Sequence, residues 1–409
     1  MIFPREEYEA RWSHLQEQLK RLGYTTAVIW QRTGGSYDGA GDVYYLTNYA
    51  SVASGQEPNY GGAAVVGRAM AALLVREGAE PELHTAEPAS LVDRDEVVCG
   101  EIFGHDTNLA LGLAKRLKEL GIEGRVANQG EAFLPVELYR FLSAATPAIE
   151  WVPEIGLLYE LQSHKSKREI DVYRMVGEVA SRALTAMMES LIKGERECDA
   201  AAKAADLIIR AGGGFQRVMC HHGPKSEHAF LNNPLYGYST DAPKVGDLVR
   251  GFVYGPIYGG YWLDPGRTAV CGGKPNPKQK KLVEDSVEMV EAVVAGIHPG
   301  VTGRELGLIG DRVIEKLGYA ETLREASTWE LYGHSVSTYW LPPMLPGGGQ
   351  VSEARRKGWH VDDPFHVGQV QSVEFFIQEP GVGTATIEHL VIVQENGVED
   401  LDTTPFLFW

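Results

Sequence analysis

The sequence predicts an α/β protein built from two domains. A chain of 409 residues with 44% apolar residues is long enough for two domains, each with its own core. Helical and strand-like patterns alternate along the first part of the chain, as is typical of an α/β module. The composition then shifts to polar, Pro-containing and Lys-containing sequence near residues 152–166. We therefore predict one domain over residues 1–155 and a second over residues 166–409.

The first predicted domain begins with an amphipathic helix. Residues 5–22 carry apolar side chains at three- and four-residue spacing, and Gly23 marks the end of the pattern. A strand at Thr26–Trp30 follows directly. Further apolar runs and helical patterns follow at 43–47, 62–66, 69–75, 107–120 and 134–144.

The second predicted domain combines long helices with two β-rich segments. The helical patterns cover residues 167–193, 197–211, 277–296 and 302–317. The β-rich segments cover residues 248–271 and 368–393.

The charge of the chain argues against polyanionic partners. The net charge is −17, from 55 acidic and 38 basic side chains, and no basic block is present that would neutralise phosphates. We expect no binding to nucleic acid or to membranes, and a small or cationic partner instead. Four widely spaced cysteines suit a reducing compartment, and no segment reaches about 18 apolar residues, so we expect a cytoplasmic location.

Four residues in separate strand-like segments are the strongest candidates for a functional site. They are Asp264, His334, Glu374 and Glu388. Three carboxylates and one imidazole suit a divalent ion such as Mn²⁺, Fe²⁺, Co²⁺ or Zn²⁺. The alternative on the residues alone is a set of ordinary strand polar groups, or a relic site that holds no ion.

The sequence around these residues resembles a known family. The ordered frames are Tyr258-Gly-Gly-Tyr-Trp-Leu-Asp264-Pro-Gly-Arg267-Thr268, Tyr332-Gly-His334-Ser335, Gly368-Gln-Val-Gln-Ser-Val-Glu374 and Thr386-Ile-Glu388-His389. Together they resemble the metallopeptidase, creatinase and Xaa-Pro aminopeptidase family with the pita-bread fold. The resemblance implies a creatinase-type N-terminal α/β domain and a C-terminal pita-bread domain, whose curved antiparallel sheet carries a metal pocket. It also implies a homodimer.

The resemblance implies that Asp264, His334, Glu374 and Glu388 hold the metal. Asp264 and Glu388 match ligands that bridge two ions, whereas His334 and Glu374 match ligands of one ion only. The family pattern has a further aspartate eleven positions before Asp264, where this chain has Val253. A one-metal site follows from this departure.

Other departures concern the substrate. Leu341, seven residues after His334, and Glu330, four residues before it, stand where the peptidases carry histidines. This favours a creatinase-like hydrolase of a C–N bond in a small nitrogenous compound. The candidate substrate contacts are Arg250, Tyr258, Trp262, Glu330, Trp340 and Leu341; the aromatic members would attract a cationic group.

Two residues are candidates for proton transfer. The resemblance implies a histidine in the loop before the Asp264 strand, for which we favour His228, with His221 and His222 as alternatives. Glu374 is the candidate acceptor for the proton of an attacking water molecule. Three other functions stay open: an Xaa-Pro dipeptidase or aminopeptidase, a metal-assisted lyase acting on a sulfonium or amine substrate, and a non-enzymatic binding module.

Overall fold

The chain folds into two compact units in a computed structural model. The units are Met1–Gln162 and Ser163–Trp409, so the division falls inside the polar stretch that the sequence indicates. The described residues are 2–32, 41–51, 70–105, 108–227, 237–255, 258–320, 331–347 and 358–409. Within them, no helix combines the length and the apolar content that crossing a bilayer requires.

The first unit is a mixed α/β structure. Its strands are β1 (Thr26–Arg32), β2 (Met70–Arg76), β3 (Glu82–Thr85), β4 (Glu101–Gly104), β5 (Gly124–Gln129) and β6 (Ile149–Pro153). Its helices are α1 (Arg5–Arg21), α2 (Asp42–Thr47), α3 (Leu109–Glu119) and α4 (Val136–Ala145), and α5 (Tyr159–Ser163) crosses the division between the units. The strands form one sheet in the order β4-β3-β2-β1-β5-β6, with both parallel and antiparallel pairs.

Local sequence explains how this unit is built. Gly23 follows α1 with a φ of 79°, and its N–H bonds back to Lys20, so this glycine ends the helix as predicted. The apolar run at 43–47 forms helix α2, whereas the run at 62–66 lies outside the described residues. Apolar side chains of β1, β2, α3 and α4 pack into the core between sheet and helices.

Asp42, the first residue of α2, is a fully buried carboxylate in this unit. Its two oxygens accept hydrogen bonds from the side-chain amides of Gln129 and Gln162, at 3.0 and 3.2 Å. Burial raises the pKa of Asp42 to about 7, and the two hydrogen bonds offset only part of that rise. Between about pH 4 and pH 7 the folded protein therefore holds a proton that the unfolded chain releases.

Replacing Asp42 by Asn should remove a pH dependence of stability. Because the folded-state pKa of this acid is raised, its contribution to the unfolding free energy falls as pH rises through the window. As pH rises from 5 to 8, we expect the wild type to lose about 2–3 kcal/mol of unfolding free energy through this group. Urea unfolding at both pH values measures the difference, with the exposed Asp95→Asn variant as control. An unchanged pH slope in Asp42→Asn would contradict the assignment.

The second unit contains long helices and an antiparallel sheet. Its strands are β7 (Arg217–His222), β8 (Leu248–Tyr254), β9 (Gly266–Val270), β10 (Leu331–Val336), β11 (Trp340–Pro346), β12 (Val370–Glu379), β13 (Gly383–Gln394) and β14 (Gly397–Asp400). Its helices are α6 (Lys167–Ile192), α7 (Glu197–Arg210), α8 (Pro277–Val294) and α9 (Gly303–Leu317). The strand order is β11-β10-β12-β13-β9-β8-β7, and β14 pairs with β13.

Three of these helices begin at a capping box. The N-cap residues Ser166, Asn276 and Thr302 each exchange hydrogen bonds with a Glu or Gln three positions later, which satisfies two of the otherwise unpaired N–H groups. The helices consequently begin within one residue of the predicted positions.

The two faces of the second sheet differ in character. Val249 and Val253 of β8 pack in an apolar cluster with α6 and α7, while Val373 and Phe375 of β12 pack in another with α8 and α9. Since side chains alternate along a strand, the residues between them point to the opposite side, which we call the inner face. Its residues include Arg250, Phe252, Thr268, Glu374 and Glu388.

Candidate metal centre

Strand pairing brings the four predicted ligands together on the inner face. Glu374 of β12 lies directly opposite Glu388 of β13, and Glu388 lies opposite Gly266 of β9. Asp264 is in the segment that leads into β9, and His334 is in β10 on the other side of β12. The exposed fraction of each of the four is 3% or less.

The ligand atoms converge on the imidazole of His334. Its Nε2 lies 3.5 Å from Asp264 Oδ2, 3.9 Å from Glu374 Oε1 and 3.9 Å from Glu388 Oε1. One ligand atom each from Asp264, His334 and Glu388 lie within 4.8 Å of one another. Three carboxylates and an imidazole at this spacing suit a hard or borderline divalent ion.

The hydrogen bonds of the cluster leave a ring nitrogen of His334 and carboxylate oxygens of Asp264 and Glu374 available to bind a cation. His334 Nδ1 lies 3.0 Å from the carbonyl oxygen of Ser335, which can only accept, so in the neutral imidazole Nδ1 carries the proton and the lone pair of Nε2 is available to an ion. Among the described residues, Nε2, Asp264 Oδ1 and Glu374 Oε1 are buried without a hydrogen-bond partner. The residues fit a metal ion.

The pKa shifts within the cluster also favour binding of a cation. Burial and the nearby Asp264 raise the pKa of Glu374 to about 8, although His334 lowers it. Burial and the two other carboxylates raise the pKa of Glu388 well above its ordinary value. Burial alone would lower the pKa of His334, but Asp264 and Glu374 raise it. Protons thus gather where three buried negative charges meet, and a divalent ion would displace them.

Gly333 allows the His334 strand to approach its neighbour. A Cβ atom at this position would lie 2.1 Å from the carbonyl oxygen of Ser372, and the backbone φ is 146°. Only glycine fits such a close backbone approach. The side chain of Ser372 in turn donates a hydrogen bond of 2.9 Å to Glu388 Oε1.

The inner-face residue of β8 beside the cluster is Phe252. Its ring stacks on Phe376 with centroids 5.9 Å apart, and a Cβ at Gly266 would lie 2.3 Å from the Phe252 ring. Counting eleven residues back from Asp264 gives Val253, but Val253 points to the helix-covered face. The strand contains no carboxylate at either position, so β8 offers no ligand to a second ion.

Two of the candidate histidines, His221 and His222, lie on the neighbouring strand β7 and point to opposite faces of the sheet. Nδ1 of His222 lies 2.6 Å from a carboxylate oxygen of Glu197 in α7, on the helix-covered face. His221 pairs with Arg250 across β7 and β8, and both side chains are buried on the inner face. His228 lies outside the described residues.

The candidate substrate contacts differ in their exposure to solvent and in their contact with the predicted ligands. Tyr258 is 39% exposed, whereas Trp262 and Leu341 are buried. Trp340 contacts the ligands themselves, since its Nε1 donates to Asp264 Oδ2 at 3.4 Å and its ring stacks on His334 with centroids 4.8 Å apart. Glu330 lies outside the described residues.

Two residues that no sequence pattern singles out support the predicted ligand Glu388. Ser372 holds Glu388, and its position two residues before Glu374 on one strand is the signal that would have placed it on the same face. Arg267 donates to the carbonyl oxygen of Glu388 at 2.6 Å and pairs with buried Asp402 at 2.5 Å. No sequence pattern connects Arg267 with the distant Asp402.

Comparison with known proteins identifies the family. The model of metallopeptidase family M24 matches residues 171–395, which include all four predicted ligands. The chain belongs to metallopeptidase family M24. Among its relatives in this family, the Xaa-Pro dipeptidase of Pyrococcus horikoshii is 26% identical over 310 residues, covering 74% of this chain and 81% of the relative. The Xaa-Pro dipeptidase of Pyrococcus furiosus is 27% identical over 305 residues, covering 71% and 76%.

Solved structures of similar proteins confirm the fold. The prolidase from Thermococcus sibiricus superimposes with a TM-score of 0.75 at 19% identity, covering 97% of both chains. The Xaa-Pro dipeptidase from Bacillus anthracis gives 0.73 at 22% identity, covering 97% of this chain and 98% of the other. At these identities the likeness concerns the fold alone. The predictions of family and pita-bread fold are confirmed, and membership of M24 implies divalent metal ions.

Proposed function

We propose that this M24 protein is a metal-dependent hydrolase that cleaves a C–N bond in a small substrate. Asp264, His334, Glu374 and Glu388 would hold a single divalent ion, whose identity among Mn²⁺, Fe²⁺, Co²⁺ and Zn²⁺ is left to experiment. The observation that carries the proposal is the convergence of three buried carboxylates within 4 Å of His334 Nε2. The lack of a carboxylate in β8 supports one ion instead of two.

The chemistry divides between the ion and the protein. When bound, the ion would supply a Lewis acid that polarises the scissile carbonyl or amidine group and lowers the pKa of water. Glu374 would accept a proton from the water that attacks the carbon atom, and would return it to the leaving nitrogen. The water oxygen would form the C–O bond as its proton passes to Glu374, and the C–N bond would break as Glu374 gives that proton to the leaving nitrogen, which returns Glu374 to a carboxylate. Transfer of this proton by His228 stays a prediction.

We further propose that Arg250 binds an anionic end of the substrate. Arg250 pairs with Thr268 of β9 and lies two residues from Phe252, which pairs with Gly266 beside Glu388. These positions put a cation on the same face as the ligands, about two strand spacings of 4.8 Å across the sheet and about 7 Å along it. Burial lowers the pKa of Arg250 to about 10, so its guanidinium remains charged at neutral pH. A guanidinium can bind a carboxylate through two parallel, charge-assisted hydrogen bonds.

Two substrate classes meet these requirements. Xaa-Pro dipeptides end in a carboxylate, and the relatives at 26–27% identity bear the name Xaa-Pro dipeptidase. Guanidino acids and N-methylated amino acids also carry a carboxylate, and Leu341 in place of a peptidase histidine favours them. The dipeptides have the stronger support, because it comes from relatives across most of the chain. Assembly as a homodimer and a cytoplasmic location stay predictions.

Purification without chelator followed by a substrate panel tests the proposed function. We expect about one ion per chain and hydrolysis of one carboxylate-bearing class, lost on chelation and restored by one of the four candidate ions. Each acid is compared with its amide, and the wild type with Arg250→Met. The variant should raise KM about 10- to 100-fold for the acid and little for the amide, since a charged hydrogen bond is lost only with the acid. Hydrolysis by metal-free protein, or hydrolysis of no member, would refute the proposal.

A further inference from the structure

Trp340 connects two metal ligands that come from distant strands. It begins β11, where it pairs with Val336 of β10. His334 is on β10, but Asp264 leads into β9, and two further strands, β12 and β13, lie between β10 and β9 in the sheet. One indole nevertheless stacks on the imidazole of His334 and donates to the carboxylate of Asp264.

The two contacts restrict different features of the ligands. The stacked ring, at an interplanar angle of 28°, limits rotation of the His334 imidazole, while the hydrogen bond from Nδ1 to Ser335 fixes its tautomer. The indole N–H engages Oδ2 of Asp264, whereas Oδ1 is buried without a hydrogen-bond partner among the described residues. The two carboxylate oxygens are therefore unequal donors to an ion.

We infer that Trp340 is a positioning residue that sets the affinity and the geometry of the metal site through His334 and Asp264. This inference rests on the proposed metal site. Residues that orient ligands through stacking or hydrogen bonds commonly change metal affinity by 10- to 100-fold when replaced. The indole N–H binds Asp264 Oδ2, the oxygen nearest to His334 Nε2, and so holds the orientation of that carboxylate toward the imidazole.

Two substitutions separate the contacts. Trp340→Phe keeps an aromatic ring beside His334 but loses the N–H together with the second ring, while Trp340→Leu removes both contacts. Trp151→Phe is the matched control, because it removes another largely buried indole hydrogen bond, that of Nε1 to Thr146 Oγ1 at 3.1 Å in the first unit. The full chain is stripped of metal and its thermal unfolding is recorded, so that damage to the fold is seen separately from damage to the site.

The readouts are calorimetric titration with Mn²⁺ and the visible absorption spectrum of the Co²⁺-loaded protein. We expect Trp340→Phe to bind Mn²⁺ about 10-fold more weakly than the wild type and Trp340→Leu more weakly still, with Trp151→Phe unchanged. The Co²⁺ bands should shift in Trp340→Phe, because the coordination of Asp264 changes. If Trp340→Leu does not fold, Trp340→Phe decides.

The inference would be overturned if Trp340→Phe, and Trp340→Leu where it folds, bound Mn²⁺ with wild-type affinity and showed an unshifted Co²⁺ spectrum. The metal site itself would stand. If the wild type binds neither Mn²⁺ nor Co²⁺, the metal site itself is refuted and the role of Trp340 with it.

Discussion

Glu374→Gln should reduce kcat about 1,000-fold or more. The substitution preserves the shape of the side chain but removes the group that accepts the proton of the attacking water, a loss of roughly 100- to 10,000-fold in general. It also replaces one of the carboxylates around His334 Nε2 with a weaker, neutral ligand, so Mn²⁺ should bind less tightly. Turnover of the substrate identified by the panel, and calorimetric titration with Mn²⁺, measure the two effects.

A second glutamate on the same strand provides the control. Glu379 is five residues beyond Glu374, at the end of β12, where it lies opposite Gly383. Glu379→Gln should leave turnover and metal binding unchanged. The metal-free Glu374→Gln protein should also unfold at a urea concentration no lower than the wild type, since burial raises the pKa of Glu374 to about 8 and the neutral amide replaces a side chain that is mainly protonated without an ion. Full turnover by Glu374→Gln would remove Glu374 from the mechanism.

Local sequence was sufficient to predict most of the second unit. The capping residues Ser166, Asn276 and Thr302 fix where helices begin, because their side chains satisfy N–H groups that nothing else in the helix can reach. The ligand frames also lie in strands or lead into one. Glu374 and Glu388 face each other because the chain between them turns back at Gly381, where φ is 74°. Such features depend on residues close together in the sequence.

The contacts that sequence could not supply are those between distant segments. The aromatic character of Trp340 predicts a substrate contact, which stays a prediction, but its hydrogen bond to Asp264 joins residues 76 positions apart and is evident only from the structure. The direction of His221 and His222 was also undetermined, since adjacent residues of a strand point to opposite faces and only the pairing with α7 and β8 shows which is which.

The position on β8 from which a side chain could bind a second ion is residue 252, one residue away from the position found by counting back from Asp264. A count back from Asp264 is sensitive to the length of the turn between β8 and β9, whereas the face of a side chain depends only on strand alternation. Val253 satisfies the count, but Phe252 lies on the inner face beside Gly266 and Phe376.

Phe252→Asp and Val253→Asp should have different effects on metal content. Aspartate at 252 would lie on the inner face near Glu388, so we expect the metal content to rise from about one ion per chain toward two. Aspartate at 253 would bury an unpaired charge in the apolar cluster under α6 and α7, which should lower the unfolding free energy by about 3 kcal/mol or more and add no ion.

Two alanine variants separate the new carboxylate from the lost apolar contact. Phe252→Ala should be destabilised by about 3–5 kcal/mol through the cavity it creates, with no change in metal content. Phe252→Asp starts from a similar loss, but excess Mn²⁺ should restore part of its stability, because an ion that binds only the folded state shifts the equilibrium toward it. Val253→Ala should bind one ion, as the wild type does. Two ions in Val253→Asp and one in Phe252→Asp would reverse the assignment of faces, since a carboxylate can add a ligand only where it faces the cluster.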